Sequence, residues 1–148
     1  MCVEFYLILK VAGAKKSLLT KMIVYSVIML VTGYLGEAVY AGSAALWGFI
    51  SAVAYFAIVY EIWLGGAAQL AKEAGGDVLA AHKILCWFVL VGWIIYPLGY
   101  LVGTADGQWY SFMSGLGLDM DVLYNIADAI NKIGFGLVIY SLAVKKTA

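Results

Sequence analysis

The feature that most restricts this chain is its long stretches without a charged residue. Ala38 to Tyr60 provides 23 such residues, and Ile84 to Ala105 provides 22. A helix needs about 20 mostly apolar residues to cross the roughly 30 Å hydrocarbon core of a membrane. Apolar residues make up 65% of the chain and charged residues only 12%, too few to cover a soluble surface. The composition therefore indicates an integral membrane protein, and it excludes a disordered chain, a nucleic-acid-binding protein and a disulfide-stapled secreted domain.

Shorter or interrupted apolar stretches complete the predicted set of helices. Met22 to Gly36 contains 15 uncharged residues, and the charged side chains at its two ends can reach water and extend the span. Val122 to Val144 is a further apolar stretch, interrupted by Asp128, Asn131 and Lys132, whereas Met1 to Val11 is at most half a span. We therefore predict an all-α membrane protein with one partial and four whole spans, at about residues 1–11, 18–36, 43–64, 78–104 and 121–145.

The start of the chain does not look like a signal peptide. Its first residues, MCVEFY, lack the positive segment and the small-residue cleavage site of such a peptide, and they place Glu4 inside an apolar stretch. This pattern is typical of a membrane helix entered midway. We expect the sequence to be the C-terminal part of a longer protein; the alternative is a complete protein with a short interfacial N-terminal helix.

The lysine residues predict the orientation in the membrane. The chain has nine lysines and no arginine, and alternate connections between spans lie on the same side of a membrane. The connections 10–21 and 65–83 and the tail from residue 145 hold eight lysines, whereas the connections 37–43 and 104–121 hold none. Because positive charge accumulates on the cytoplasmic side, the C-terminus is expected in the cytoplasm.

The ninth lysine, Lys132, lies in the middle of the last predicted span. It stands eleven residues after Asp121 and thirteen before Lys145, roughly 16–20 Å from either helix end, which is beyond the reach of its side chain. Asp128 is one helical turn away on the same face. A charged pair at that depth favours a functional site, although an ion pair that only locks helices together is the structural alternative.

An aromatic stripe accompanies this pair on the preceding span. Trp93, Tyr96 and Tyr100 share one helical face, and the only proline, Pro97, interrupts the helix within the stripe. The rings can be ordinary core. Beside a desolvated lysine they can also line a slot for an elongated apolar aldehyde, because a deprotonated lysine forms a Schiff base with a carbonyl group. Asp128 would then be the counter-ion.

Other polar residues receive simpler interpretations. Glu61 is interpreted as a solvated charge at a helix end, with a proton-relay role as the alternative. His82 is the only histidine, so no zinc or copper site is predicted, and the two cysteines are expected to be reduced core residues.

Four segments resemble the microbial rhodopsins. DVLYNIADAINKIGFG at residues 121–136 resembles their seventh, retinal-binding helix, and GWIIYPLGY at residues 92–100 resembles their sixth. VEFYLIL at residues 3–9 and GYLGEA at residues 33–38 are similar to the proteorhodopsin branch. The resemblance implies the fold of a seven-helix rhodopsin bundle, of which this chain would supply half of the third helix and the fourth to seventh helices.

The resemblance also implies a function and its residues. Lys132 would carry all-trans retinal as a Schiff base, with Asp128 as part of its counter-ion, and Glu4 would be the proton donor on the cytoplasmic side. The expected retinal-lining residues are Trp93, Tyr96, Pro97, Tyr100, Met29, Gly33, Ser51 and Tyr55. The parent protein would be a light-driven outward proton pump rather than an enzyme, in the inner membrane of a bacterium. We expect retinal, protons and lipid as its partners, and a homo-oligomer as its assembly.

One expected element lies outside this sequence. In the family, the proton acceptor is an aspartate eleven residues before the donor glutamate, a position that precedes residue 1 here. The transported ion therefore stays open, and a sensory rhodopsin or a pump for another ion is the alternative within the family. A non-photoactive four-helix membrane protein is the alternative outside it.

Overall fold

A computed structural model describes residues 1–96 and 120–147 of the chain, and nearly all of these residues are helical. The helices, in chain order, are α1 (Cys2–Leu9), α2 (Lys16–Tyr34), α3 (Ala44–Trp63), α4 (Gly66–Ala74), α5 (Gly76–Trp87) and α6 (Met120–Thr147). Two of them, α2 and α5, continue into π-helical turns at Leu35–Val39 and Phe88–Gly92. No strand occurs within these described ranges, and the predicted all-α class is confirmed.

The long helices alternate in direction. Between α2 and α3, the Ser51 hydroxyl donates to the Met29 carbonyl at 2.7 Å. α3 also contacts α5, which in turn contacts α6. In each pairing, residues late in one helix meet residues early in the next, as in an up-and-down bundle. This order places the lysine-rich ends of the helices on one side of the molecule.

Three described stretches are long and apolar enough to cross a membrane: Lys16–Val39, Ala41–Ala74 and Tyr124–Lys145. Their outer surfaces carry large apolar side chains, such as Leu30 and Phe49, that are about two-thirds exposed. The hydroxyl of Thr32 donates to a carbonyl one turn earlier in its own helix, which satisfies it without water. These surfaces are suited to contact with lipid.

The short helix α1 is held by packing on several sides. Phe5 and Leu9 are fully buried, and the helix contacts α2, α4 and α5. The chain leaves it through Gly13, whose φ of +85° suits glycine, while the Ala14 N–H donates to the Leu9 carbonyl at 3.2 Å. α1 is therefore an integral part of the helical assembly.

The predicted connection at residues 65–83 proves to be mostly helical. It contains α4 and the first two-thirds of α5, and Gly75 and Gly76 at their junction both have positive φ. α4 buries only small side chains, among them Ala67 and Ala71. Because small alanines give no large apolar stripe, hydrophobic patterning did not reveal this helix.

Candidate functional site

Asp128 and Lys132 stand one turn apart on α6 and form an ion pair between Lys132 Nζ and Asp128 Oδ2. The carboxylate precedes the lysine, which is the favourable order for an i,i+4 pair on a helix. The lysine side chain is 66% exposed on the surface of this chain and the carboxylate 43%. Among the described residues, α6 packs mainly against α5 and its π turn, with Phe135 against Phe5 of α1, which leaves the face with Lys132 open. As predicted, Lys132 lies far from both ends of the apolar stretch Tyr124–Lys145.

The second oxygen of Asp128 is bound by the neighbouring helix segment. The Tyr96 hydroxyl donates to Asp128 Oδ1 at 2.5 Å. The Tyr96 ring stacks on Tyr124, with centroids 5.5 Å apart and planes 19° apart, and the Tyr124 hydroxyl donates to the Tyr96 carbonyl at 3.4 Å. A carboxylate with a donor on each oxygen is fixed in position as an anion.

The π-helical turn Phe88–Gly92 ends immediately before Trp93. Such a turn departs from the regular α-helical hydrogen-bond ladder, and here side chains of two other helices bond to its carbonyls. The Tyr55 hydroxyl of α3 donates to the Leu90 carbonyl at 2.9 Å, and Asn131 Nδ2 of α6 donates to the Gly92 carbonyl at 2.9 Å. A Cβ atom at Gly92 would overlap Asn131 Oδ1, so glycine is required for this contact.

Three further predicted residues meet where α2 and α3 pack. Beside the hydrogen bond between Ser51 and the Met29 carbonyl, a Cβ atom at Gly33 would lie 3.5 Å from Ser51 Oγ, in ordinary contact. Tyr55, one turn after Ser51, connects this group to α5, and Met29 and Trp93 pack against the same buried core. The structure thus links these predicted lining residues to the Asp128 and Lys132 pair through α5.

Glu4 is not joined to that pair by any described hydrogen bond. Its Oε2 lies 2.5 Å from the α-ammonium of Met1, and its side chain is 36% exposed. The next residue, Phe5, contacts the ring of Phe135 at a centroid distance of 5.7 Å. Since Phe135 follows Lys132 by three residues, α1 lies beside the helical turn next to the lysine.

Two predicted lining residues, Pro97 and Tyr100, lie outside the described residues, as does the end of the predicted span 78–104. Sequence reasoning also missed two residues that the structure brings to the site, Asn131 and Tyr124. A signal was available for Asn131, since an amide in a membrane helix next to Lys132 is unusual in a lipid-facing position. Nothing in the sequence distinguished Tyr124 from the other tyrosines.

The interpretation of Glu61 as a solvated charge was wrong. This residue is 5% exposed, and its Oε2 accepts a hydrogen bond from Lys21 Nζ at 3.1 Å. The chain turns back directly after α3, so the carboxylate lies against Gly65 and Gly66, where a Cβ atom would come within 3.0 Å of its oxygens. Burial therefore results from the close turn between α3 and α4.

Comparison with known proteins identifies the family. Residues 1–146 match the model of the bacteriorhodopsin-like protein family. The chain is 38% identical over 148 residues to the green-light absorbing proteorhodopsin of Gamma-proteobacterium EBAC31A08, covering 98% of this chain and 56% of that protein. It is 37% identical to the blue-light absorbing proteorhodopsin of Gamma-proteobacterium Hot 75m4, covering 99% and 57%.

A solved structure shows the same likeness in three dimensions. The crystal structure of Exiguobacterium sibiricum rhodopsin superposes with a TM-score of 0.77 at 32% identity, covering 95% of this chain and 63% of that chain. The chain spans a little over half the length of the two proteorhodopsins. The predicted resemblance to microbial rhodopsins is confirmed, and the chain belongs to the bacteriorhodopsin-like family of membrane proteins.

Proposed function

We propose that this chain is part of a retinal-binding, light-driven outward proton pump, in which Lys132 holds the chromophore. The observation that carries the proposal is the arrangement at α6, where Lys132 Nζ pairs with Asp128 and Tyr96 binds the second oxygen of that carboxylate. A protonated Schiff base requires a lysine amine to form it and a carboxylate beside it to balance its positive charge.

The residues present fit retinal in their chemistry. Lys132 supplies the amine that would hold all-trans retinal as a Schiff base, and the aromatic and small residues gathered along α5, α2 and α3 would line its apolar body. Retinal, when bound, supplies a light-driven isomerisation that changes the proton affinity of the Lys132 nitrogen. The proposed lining residues are Trp93, Tyr96, Pro97, Tyr100, Met29, Gly33, Ser51 and Tyr55.

Each charged residue then has a separate task. Asp128 balances the positive charge on the Lys132 nitrogen, and Tyr96 keeps its carboxylate in place. Glu4 returns a proton to that nitrogen from the lysine-rich side of the membrane. By the resemblance, the proton acceptor would be an aspartate eleven positions before Glu4, a position that precedes residue 1 of this sequence. We also propose a cytoplasmic C-terminus in a bacterial inner membrane and a homo-oligomeric assembly.

The proposal is tested by substituting Lys132 in the protein expressed from its full open reading frame in bacterial membranes with added all-trans retinal. Lys132→Ala removes the amine and is expected to abolish both the visible absorption band and the light-driven acidification of the medium. Lys145→Ala is the matched control, because it removes a lysine of the same helix whose ion pair in the described structure is with the exposed Asp77.

The outcomes separate the alternatives. A covalent visible band that persists in Lys132→Ala would show that the attachment site is wrong. A wild-type protein that has the band and a photocycle but never acidifies the medium would contradict the pump and point to a sensory or other-ion rhodopsin. A wild-type protein without a retinal band would contradict the retinal-binding function itself.

A further inference from the structure

His82, a titratable residue outside the Lys132 site, lies buried in contact with α1 and α3. His82 is 3% exposed and is the seventh residue of α5, about 9 Å along the helix from its lysine-rich end. Its ring contacts the Phe5 ring edge-on at a centroid distance of 5.3 Å. Its Nε2 lies 2.8 Å from the Ile62 carbonyl oxygen.

These contacts determine which ring nitrogen is free. A carbonyl oxygen only accepts, so Nε2 carries the hydrogen and donates it to Ile62. Nδ1 of the neutral ring is then a bare acceptor. It is buried and has no hydrogen-bond partner among the residues that the structure describes. An unsatisfied buried nitrogen costs free energy, so its presence calls for a reason beyond packing.

A capping role alone does not account for an imidazole at this position. The Ile62 carbonyl is one of the last four of α3 and lacks a partner within that helix. It already has a second donor, because Cys86 Sγ lies 3.3 Å from the same oxygen. A second cap would be served equally well by a side chain without an unsatisfied nitrogen.

Two helices that contact His82 each carry a carboxylate next to the contacting residue. From α1, Phe5 lies against the ring, and Glu4 is the preceding residue; Glu4 Oε2 is buried and has no hydrogen bond beyond its ion pair with the Met1 ammonium. From α3, the residue before Ile62 is the buried Glu61, which pairs with Lys21 of α2. Each of the two side-chain contacts of His82 thus involves a residue that directly follows a carboxylate in the sequence.

The remaining helices add no charge to this pocket among the described contacts. α4 packs against α3 and α5 with alanine side chains, and α6 brings the ring of Phe135 against Phe5. On α5 itself, Asp77 and Lys83 are exposed, and the buried Cys86 thiol bonds to the Ile62 carbonyl. His82 is therefore a buried base that contacts α1 at the residue after Glu4 and α3 at the residue after Glu61.

We propose that His82 is a proton-relay residue that delivers protons from the lysine-rich side to Glu4. Nδ1 takes up a proton from water and the ring becomes an imidazolium, while Nε2 stays bonded to Ile62. The proton then passes from Nδ1 to the Glu4 carboxylate, which becomes a carboxylic acid as the ring returns to neutral. This inference rests on the proposed proton transport.

The test is His82→Gln in the protein from the full reading frame, reconstituted with all-trans retinal. The glutamine amide nitrogen stands the same number of bonds from Cβ as Nε2, so it can keep the hydrogen bond to Ile62. The amide is not basic, however, and cannot take up and release a further proton. Flash-induced proton uptake, followed with a pH-sensitive dye, is expected to slow by about 100-fold. Proton release and the visible band are expected to stay unchanged.

Two controls exclude a purely structural effect. Cys86→Ala removes the other cap of the Ile62 carbonyl and is expected to leave proton uptake at the wild-type rate. Added azide, a small weak acid, is expected to restore uptake in His82→Gln, which repair of a misfolded pocket would not do. Wild-type uptake kinetics in His82→Gln, or slow uptake that azide leaves unchanged, would overturn the relay. A wild-type protein without light-driven proton movement would instead overturn the proposed function and this inference with it.

Discussion

The two partners of the ion pair between Lys21 and Glu61 differ strongly in burial. The side chain of Glu61 is 7% exposed, whereas that of its partner Lys21 is 45% exposed. Removal of either partner breaks the same contact, but only the lysine can turn to water afterwards. A carboxylate left behind without a partner pays the full cost of its burial.

We therefore expect the two substitutions to differ in stability. Lys21→Met leaves the buried carboxylate unpaired and should lower the free energy of unfolding by about 3 kcal/mol. Glu61→Gln removes that charge and should cost about 1 kcal/mol. The measurement is denaturation of the detergent-solubilised protein, followed by its helical circular dichroism.

Lys145→Met serves as the control for this comparison. Its partner Asp77 is 58% exposed and Lys145 itself 64%, so the loss of that pair should change the stability by less than about 1 kcal/mol. Equal losses for Lys21→Met and Glu61→Gln would show that the Glu61 carboxylate is not desolvated.

The sequence allowed good predictions for contacts between residues of one helix. Asp128 and Lys132 were found because an i,i+4 spacing fixes their contact wherever the helix lies. Glu61 was misinterpreted because its burial depends on the turn at Gly65, where two helices come close together. Asn131 was missed for a related reason, since its partner is a backbone carbonyl of another helix.

At the scale of helices, the contact between α5 and α6 depends on two glycines, which leave room for side chains of the other helix. Gly92 lets the Asn131 amide reach its carbonyl, and Gly134 of α6 lies so close to Phe88 that a Cβ atom would come within 2.5 Å of that ring. Small residues at helix interfaces are the usual means of close packing in membranes, where lipid gives no hydrophobic driving force between helices.

Gly92→Ala should therefore be destabilising through a specific clash. We expect a loss of about 1–3 kcal/mol, because the added methyl group overlaps the Asn131 amide. Asn131→Ala in the same protein should recover part of this loss, which gives a coupling energy of about 0.5–3 kcal/mol in a double-mutant cycle. Thermal loss of the helical signal provides the measurement.

Gly136→Ala is the matched control on α6. A Cβ atom there meets no atom within 4 Å, so the substitution should be neutral or stabilise the helix by up to about 1 kcal/mol. Additive effects of Gly92→Ala and Asn131→Ala would contradict the close approach of α5 and α6.

At the scale of the whole molecule, hydrophobic length was a reliable guide and local packing was not. An uncharged stretch of about 20 residues predicts a membrane helix because the bilayer thickness imposes that length, and most of Ala38 to Tyr60 lies in the long apolar stretch Ala41–Ala74. α4 escaped prediction because its buried face consists of small residues. The partial first span was predicted only by length, whereas its place among α2, α4 and α5 required the fold.

The two ends of the helical assembly differ in how closely they are packed. The lysine-rich half is closely packed around Phe5, Ile62 and His82, whereas Lys132 and Asp128 lie on a face of α6 that the described residues leave open. In the proposed pump, this division separates a proton-supply side from the chromophore. The attachment of retinal to Lys132 is therefore the claim on which the whole account depends.

That claim is tested most directly by fixing the chromophore chemically and locating it along the chain. Retinal-loaded protein is treated with borohydride under illumination, which reduces a Schiff base to a stable amine, and its peptides are mapped by mass spectrometry. We expect the retinyl mass on the peptide that contains Lys132 and on no other. A retinyl group on any other lysine, or on none, would contradict the account.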